Sequence, residues 1–153
     1  MVVSYNGVAS TPLQLRVVDT APGLYTINNM GTGQGALLNE NGTVNSPANP
    51  EATGHFIQLF GTGEGQTAPP GVDGLISANR LPLPAPILPV TVTIGGKDVP
   101  ASDIIYAGEA PSIVSGVIQI DAKIPDGVGP GPVPVVIRVG GVPSQANVTV
   151  SVR

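Results

Sequence analysis

At 153 residues and 41% hydrophobic content, the chain is long enough to build one domain with a real core, or two very small ones. Its 21 glycines and 17 prolines and its 10% charged content disfavour helices, while a mean hydropathy of +0.28 argues against disorder. A net charge of −4 leaves no basic footprint for nucleic acid, the lack of cysteine excludes disulfides, thiolate nucleophiles and Cys-ligated metals, and a single histidine leaves little room for a zinc site or a His relay.

Taken in chain order, the residues read as many short strands with turn signals between them, the pattern of a sandwich or barrel rather than of βαβ units. Val2 to Ser10 followed by the alternating Leu13, Leu15 and Val17 reads as a hairpin. Asn41-Gly42 marks a second hairpin turn. Phe56, Ile57, Leu59 and Phe60 form a strand closed by Gly61-Thr62-Gly63-Glu64-Gly65. Ala68 to Pro89 holds six prolines, at 69, 70, 82, 84, 86 and 89, and reads as an extended connection without ladder bonds. Val90 to Ile94 is a strand running into Gly95-Gly96, with Ile104 to Tyr106 expected to return beside it. The clearest strand is Val117 to Ile124, with Ile118, Ile120, Ala122 and Ile124 on one face, ended by the turn Pro125-Asp126-Gly127. Val133 to Val139, Gly140-Gly141 and Val148 to Val152 make the last hairpin.

The two ends of the chain repeat one another. Val2 to Ser10 aligns with Val136 to Ser144, and an alternating strand follows each. A lone hairpin is marginal in water, so residues 1–18 are expected to dock: either they extend a sheet of the main domain, or they are the last hairpin of a preceding repeat. No apolar run approaches the ~18 residues of a membrane span, and Met1 is followed by Val2, Val3 and Ser4 rather than by a charged n-region. Neither a span nor a signal peptide is therefore expected within these residues, although a domain taken from a longer secreted chain would look the same.

The stretches Gly54–Gly65, Val90–Gly96, Ile118–Pro125 and Val133–Gly141 together resemble the IPT/TIG type of immunoglobulin-like domain. More closely, Ala21–Thr26, Gly33–Asn39, Gly42–Pro50 and Tyr106–Gly108 are similar to the uncharacterised C-terminal domain family of secreted acidobacterial (Solibacter-type) proteins, a likeness covering roughly residues 21 to 153. These motifs are turns and strand edges, so they speak to fold rather than chemistry. The resemblance implies an Ig-like sandwich at the end of a multi-domain exported protein, with an extracellular or cell-surface location and no catalytic residues assigned.

Each candidate site has a plainer structural reading. Leu38 to Asn45 echoes a calcium loop, but with Gly42 at the loop glycine the first ligand position is Leu37 and the fifth is the amide of Asn41, so a hairpin turn fits better. Gly31–Gly35 and Gly61–Gly65 suggest phosphate-cradling loops, yet no helix or P-loop lysine follows them. His55 has no second histidine nearby and no acid closer in sequence than Glu51. Asp98, Asp103, Glu109, Asp121 and Asp126 could supply a glycosidase pair only across a cleft, and read as solvated surface. A Lys–Asn/Asp isopeptide needs a buried lysine, whereas Lys123 is on an outward register and Lys97 follows a turn. Tyr5, Tyr25, Tyr106, Phe56 and Phe60 are too scattered for a sugar-stacking platform.

These readings converge on an all-β, antiparallel Ig-like (IPT/TIG-type) β-sandwich over residues 54–153. Residues 21–53 are expected to add edge strands, and residues 1–20 an N-terminal hairpin docked alongside. The expected role is that of a non-enzymatic structural, spacer or adhesion module, with no catalytic, cofactor-binding or metal-ligating residues. Its partners would be neighbouring Ig-like domains or other copies, without nucleic acid or membrane insertion. Two alternatives stay open: head-to-tail polymers formed by β-edge or hairpin pairing, and a carbohydrate-binding module that takes a polysaccharide.

Overall fold

Alternation of β-branched and small polar residues produces two sheets whose inner faces form one core. The computed structural model describes residues 1–77 and 82–153. In chain order its strands are β1 Ser4–Tyr5, β2 Val8–Ala9, β3 Gly23–Leu24, β4 Gly33–Gln34, β5 Leu38–Asn39, β6 Phe56–Thr62, β7 Thr67–Ala68 and β8 Ala85–Pro86. There follow β9 Val90–Ile94, β10 Lys97–Asp98, a 3-10 turn at Ala101–Asp103, β11 Ile104–Glu109, β12 Ile118–Lys123, β13 Gly131–Val139, β14 Val142–Pro143 and β15 Val148–Val152. No helix among the described residues is long and apolar enough to cross a membrane.

The first sheet runs β10-β9-β13-β15-β4, with β14 folded back on β13. The second runs β11-β12-β6-β3, with β5 also on β6. Cross-strand partners set the core register: Ile94 faces Val135 and Val92 faces Ile137 in the first sheet, and Ile57 faces Ala122 and Leu59 faces Ile120 in the second. These side chains, with Ile118, Ile124, Val148 and Val150, are fully or almost fully buried in a single cluster. Burying each Val, Leu or Ile contributes on the order of 1.5–3 kcal/mol, which makes the alternation the main determinant of the fold. The result is an all-β sandwich, with most pairings antiparallel as the alternation implied. One is not: β4 lies parallel to β15, and Glu51 forms a further parallel bridge with Val152.

The structure corrects the sequence reading in three places. Ile104 does not return beside Val90–Ile94. The return is Lys97–Asp98, because Gly95 and Gly96 both take positive φ and close the chain back at once, and the Ala101–Asp103 turn then carries β11 across to β12 in the other sheet. The proline-rich stretch is not wholly without ladder bonds: β7 and β8 pair, with Pro86 opposite Thr67. Residues 78–81 of that stretch lie outside the described residues.

The third correction concerns the N-terminus. Residues 1–18 do not extend either sheet. Among the described residues β1 pairs only with β2, and every residue from 1 to 19 is exposed. The body begins at Thr20, which is buried and whose Oγ1 donates to the Val139 carbonyl at 3.0 Å. Residues 21–53 supply β3, β4 and β5 at sheet edges. Within β13, Pro132 and Pro134 sit in the half that β9 does not reach, so their missing N–H groups cost no ladder bond on that side.

Candidate functional site

The glycine runs that suggested anion loops have another use. In Gly61-Thr62-Gly63-Glu64-Gly65 the alternate glycines face the backbone of the segment that enters the body. A Cβ on Gly61 would fall against the Gly23 carbonyl oxygen, one on Gly63 against that of Ala21, and one on Gly65 against that of Asp19. Ala21 N–H donates to the Gly63 carbonyl at 2.9 Å. Three glycines therefore let residues 19–23 lie directly on the strand and its extension, a backbone-on-backbone contact that any side chain would prevent. Gly33, from the other run, sits in β4 and donates to the Asn147 carbonyl at 2.7 Å.

The Leu38–Asn45 segment is a hairpin. Asn39 N–H donates to Thr43 O and Gly42 N–H to Asn39 O, with Gly42 at positive φ and the Asn41 carboxamide oxygen taking both the Thr43 N–H and its hydroxyl. The amides beside it form the best-buried polar group of the body. Asn45 is fully buried; its Nδ2 donates to Asn39 Oδ1 and Ser151 O, and its Oδ1 accepts from Ser151 N–H and Gln34 Nε2, all within 2.8–2.9 Å. Ser151 Oγ donates to Gln34 Oε1. Sequence reasoning missed this network because isolated polar residues inside a strand pattern give no periodic signal. It bolts the 34–45 segment to the last strand.

The acids are distributed as follows. His55 does have a close acidic partner, one distant in sequence: its Nδ1 lies 2.6 Å from Glu40 Oε2, with both side chains about half exposed. Glu51 is buried and caps backbone, accepting from Glu40 N–H and Ala52 N–H. Glu109 is buried too, and accepts hydroxyl hydrogen bonds from Ser77 and Ser115. It lines an open depression of about 420 Å³ with Glu64 and Asp73, whereas the other four acids weighed for a hydrolytic pair, Asp98, Asp103, Asp121 and Asp126, do not line it. Asp121 lies on the outward register of β12, where burial raises its pKa and a hydrogen bond from Gln119 partly offsets the rise. Tyr106 is likewise raised, by burial first and then by the nearby charges of Asp121 and Glu109, and its hydroxyl donates to the Glu109 carbonyl. Lys97 Nζ donates to the Asp126 carbonyl in an exposed position. Among the described residues no three His, Asp or Glu side chains are placed to hold one metal ion.

The feature with the clearest physical demand for a partner is the N-terminal hairpin. Its repeat of the C-terminal hairpin extends to individual hydrogen bonds. Ser10 N–H donates to Val3 O at 2.8 Å and Ser144 N–H to Ile137 O at 2.8 Å; Val3 N–H donates to Ser10 Oγ at 3.1 Å and Ile137 N–H to Ser144 Oγ at 3.2 Å. Tyr5 pairs with Val8 as Val139 does with Val142, and both turn residues have positive φ in each copy, Asn6 and Gly7 in one and Gly140 and Gly141 in the other. Burial separates the copies. Ile137 is 0% exposed and Val3 58%; Val148 and Val150 are 0% exposed, whereas Leu13 and Leu15 are more than half exposed. In comparisons with known proteins, no family model and no curated protein matches the chain.

Proposed function

We propose that the chain is a non-catalytic spacer module of an extracellular bacterial protein, an Ig-like sandwich of the IPT/TIG kind that stands between neighbouring domains. One observation carries the reading: the chain enters the body at one end of the sandwich and leaves it at the other. Thr20 is anchored at Val139, the last residue of β13, and Val152 pairs with Gly131, the first residue of the same strand. The nine residues of β13 make these points about 26 Å apart at ~3.3 Å per residue. Modules linked through such ends lie in series rather than side by side. The parallel β4–β15 pairing and the Glu51–Val152 bridge add mechanical sense, since tension applied at the two ends loads those hydrogen bonds in shear. Location outside the cell follows from the resemblance to secreted proteins.

The test is to stretch the chain from its ends in a force spectrometer. A spacer of this design unfolds its body in one high-force event. Piecemeal yielding at low force, starting with residues 20–51, counts against it.

A further inference from the structure

We infer that residues 2–17 are the final hairpin and final strand of a second sandwich of this fold, one that precedes the body and is joined to it by only Val18 and Asp19. The inference rests on the reading of the chain as a module in series and names the partner of its exposed end.

Three observations lead there. The hydrogen-bond pattern of residues 2–10 is that of residues 136–144, which form the closing hairpin of this sandwich. Nine apolar residues between Met1 and Val18 are at least half exposed, a concentration that marks an interaction surface. A hairpin of this length does not hold such a surface in water alone, so it calls for a large apolar partner. Finally, Val17 is the counterpart of Val152, where the last strand ends, and Thr20 is already fixed to Val139. Two residues cannot span a gap between domains, so the two sandwiches abut end to end. Beside that junction lies a depression of about 800 Å³ lined by Val17, Val18, Leu88, Val142 and Pro143. Val17, the end of the preceding sandwich in this inference, thus faces Leu88, Val142 and Pro143 of the body across it.

A second copy of the chain is the weaker occupant, because the place that a hairpin of this pattern fills is occupied in each copy by its own residues 136–152. The differences between the repeats also describe the partner. Arg16 stands where the buried Ser151 side chain donates to Gln34 beneath the amide cover; an arginine does not fit that enclosed place, so the preceding sandwich leaves this face of its last strand to solvent. Tyr5 stands where the body has Val139, so its hairpin end is roomier.

Two tandem proteins and the chain itself test this. In the first tandem, residues 20–152 are joined to residues 18–153, so the front sandwich keeps its own last hairpin. In the second, residues 20–135 are joined to residues 2–153 with Tyr5→Val and Arg16→Ser, so residues 2–17 must close the front sandwich. The readout is amide hydrogen exchange. In the chain as it stands, Val3 and Ser10 should exchange almost freely; in the second tandem they should slow by at least about a hundredfold, toward the rates of Ile137 and Ser144. If the first tandem folds in both halves and residues 2–17 of the second remain unprotected, the inference is overturned while the serial reading stands. If the first tandem cannot fold both halves across its short junction, the serial reading fails and this inference with it. Sedimentation of the chain supplies the third arm: a concentration-dependent assembly that disappears when residues 2–17 are deleted makes a second copy the occupant and also overturns the inference.

Discussion

Residues 2–17 and 136–152 are one hairpin-and-strand pattern held in two environments. Both close through paired positive-φ residues, and both carry the same serine-to-backbone exchange with the strand opposite. In the C-terminal copy a second sheet and a neighbouring strand cover the apolar face; in the N-terminal copy none of the described residues does. Turn chemistry and register are therefore encoded locally, whereas burial is a property of what the hairpin is offered. An alternating segment states which face must be covered but not whether the covering strands belong to the same domain.

Substitutions at matched positions give the strongest test of that contrast. Ile137→Ala empties part of the core and should lower the unfolding free energy by about 2–5 kcal/mol in urea, with the slope unchanged. Its counterpart, Val3→Ala, should stay within about 0.5 kcal/mol. Equal losses at both positions would mean that the N-terminal hairpin is covered in solution. The amide network should come next. Asn45→Ala strips partners from the buried Ser151 backbone and from Gln34 and should cost about 2–4 kcal/mol, while Arg16→Ala, at the position matching Ser151, should be near neutral.

The glycines sharpen the same contrast at the junction between the two regions. Gly63→Ala meets both a positive φ and the Ala21 backbone, so it should cost about 1–3 kcal/mol and free the Ala21 amide to exchange. Gly7→Ala meets only the positive φ, with nothing near its Cβ, and should leave the stability of the body unchanged. An Ala21 amide that stays protected in Gly63→Ala would show that residues 19–23 are not held through this strand.

How much of this was legible in the sequence depended on whether the cause was local. Ile118–Lys123 and Val148–Val152 carry alternation, and the structure places strands there with Ile118, Ile120 and Ala122, and Val148, Val150 and Val152, inward as expected; Val90–Ile94 is a strand as expected too. Lys97–Asp98, two exposed polar residues, carries no periodic pattern that would mark it as the return strand, whereas the apolar Ile104–Tyr106 does look like one. Gly61, Gly63 and Gly65 were visible as glycines but not as the seat of residues 19–23, since that need arises from a chain segment about forty residues away. The Glu40–His55 pair and the contacts of Asn45 with Ser151 were hidden for the same reason: each is made by folding, and neither leaves a spacing to read.

The smallest expected effect isolates the hydrogen bond that the two copies share. Ser144→Ala removes the acceptor of the Ile137 N–H, and because that donor is buried it is left without water to replace the lost oxygen, at a cost of about 1–2 kcal/mol. Ser10→Ala removes the same bond at Val3, but there the freed N–H is exposed, so the unfolding midpoint of the body should not move. The local hairpin should still respond, with weaker cross-strand NOEs between Val3 and Ser10. A double variant should show the Ser144→Ala loss and nothing more, because the two sites lie in regions with no shared partners. A loss in the double variant larger than the sum of the single losses would couple the two hairpins and end the distinction between a covered copy and a waiting one.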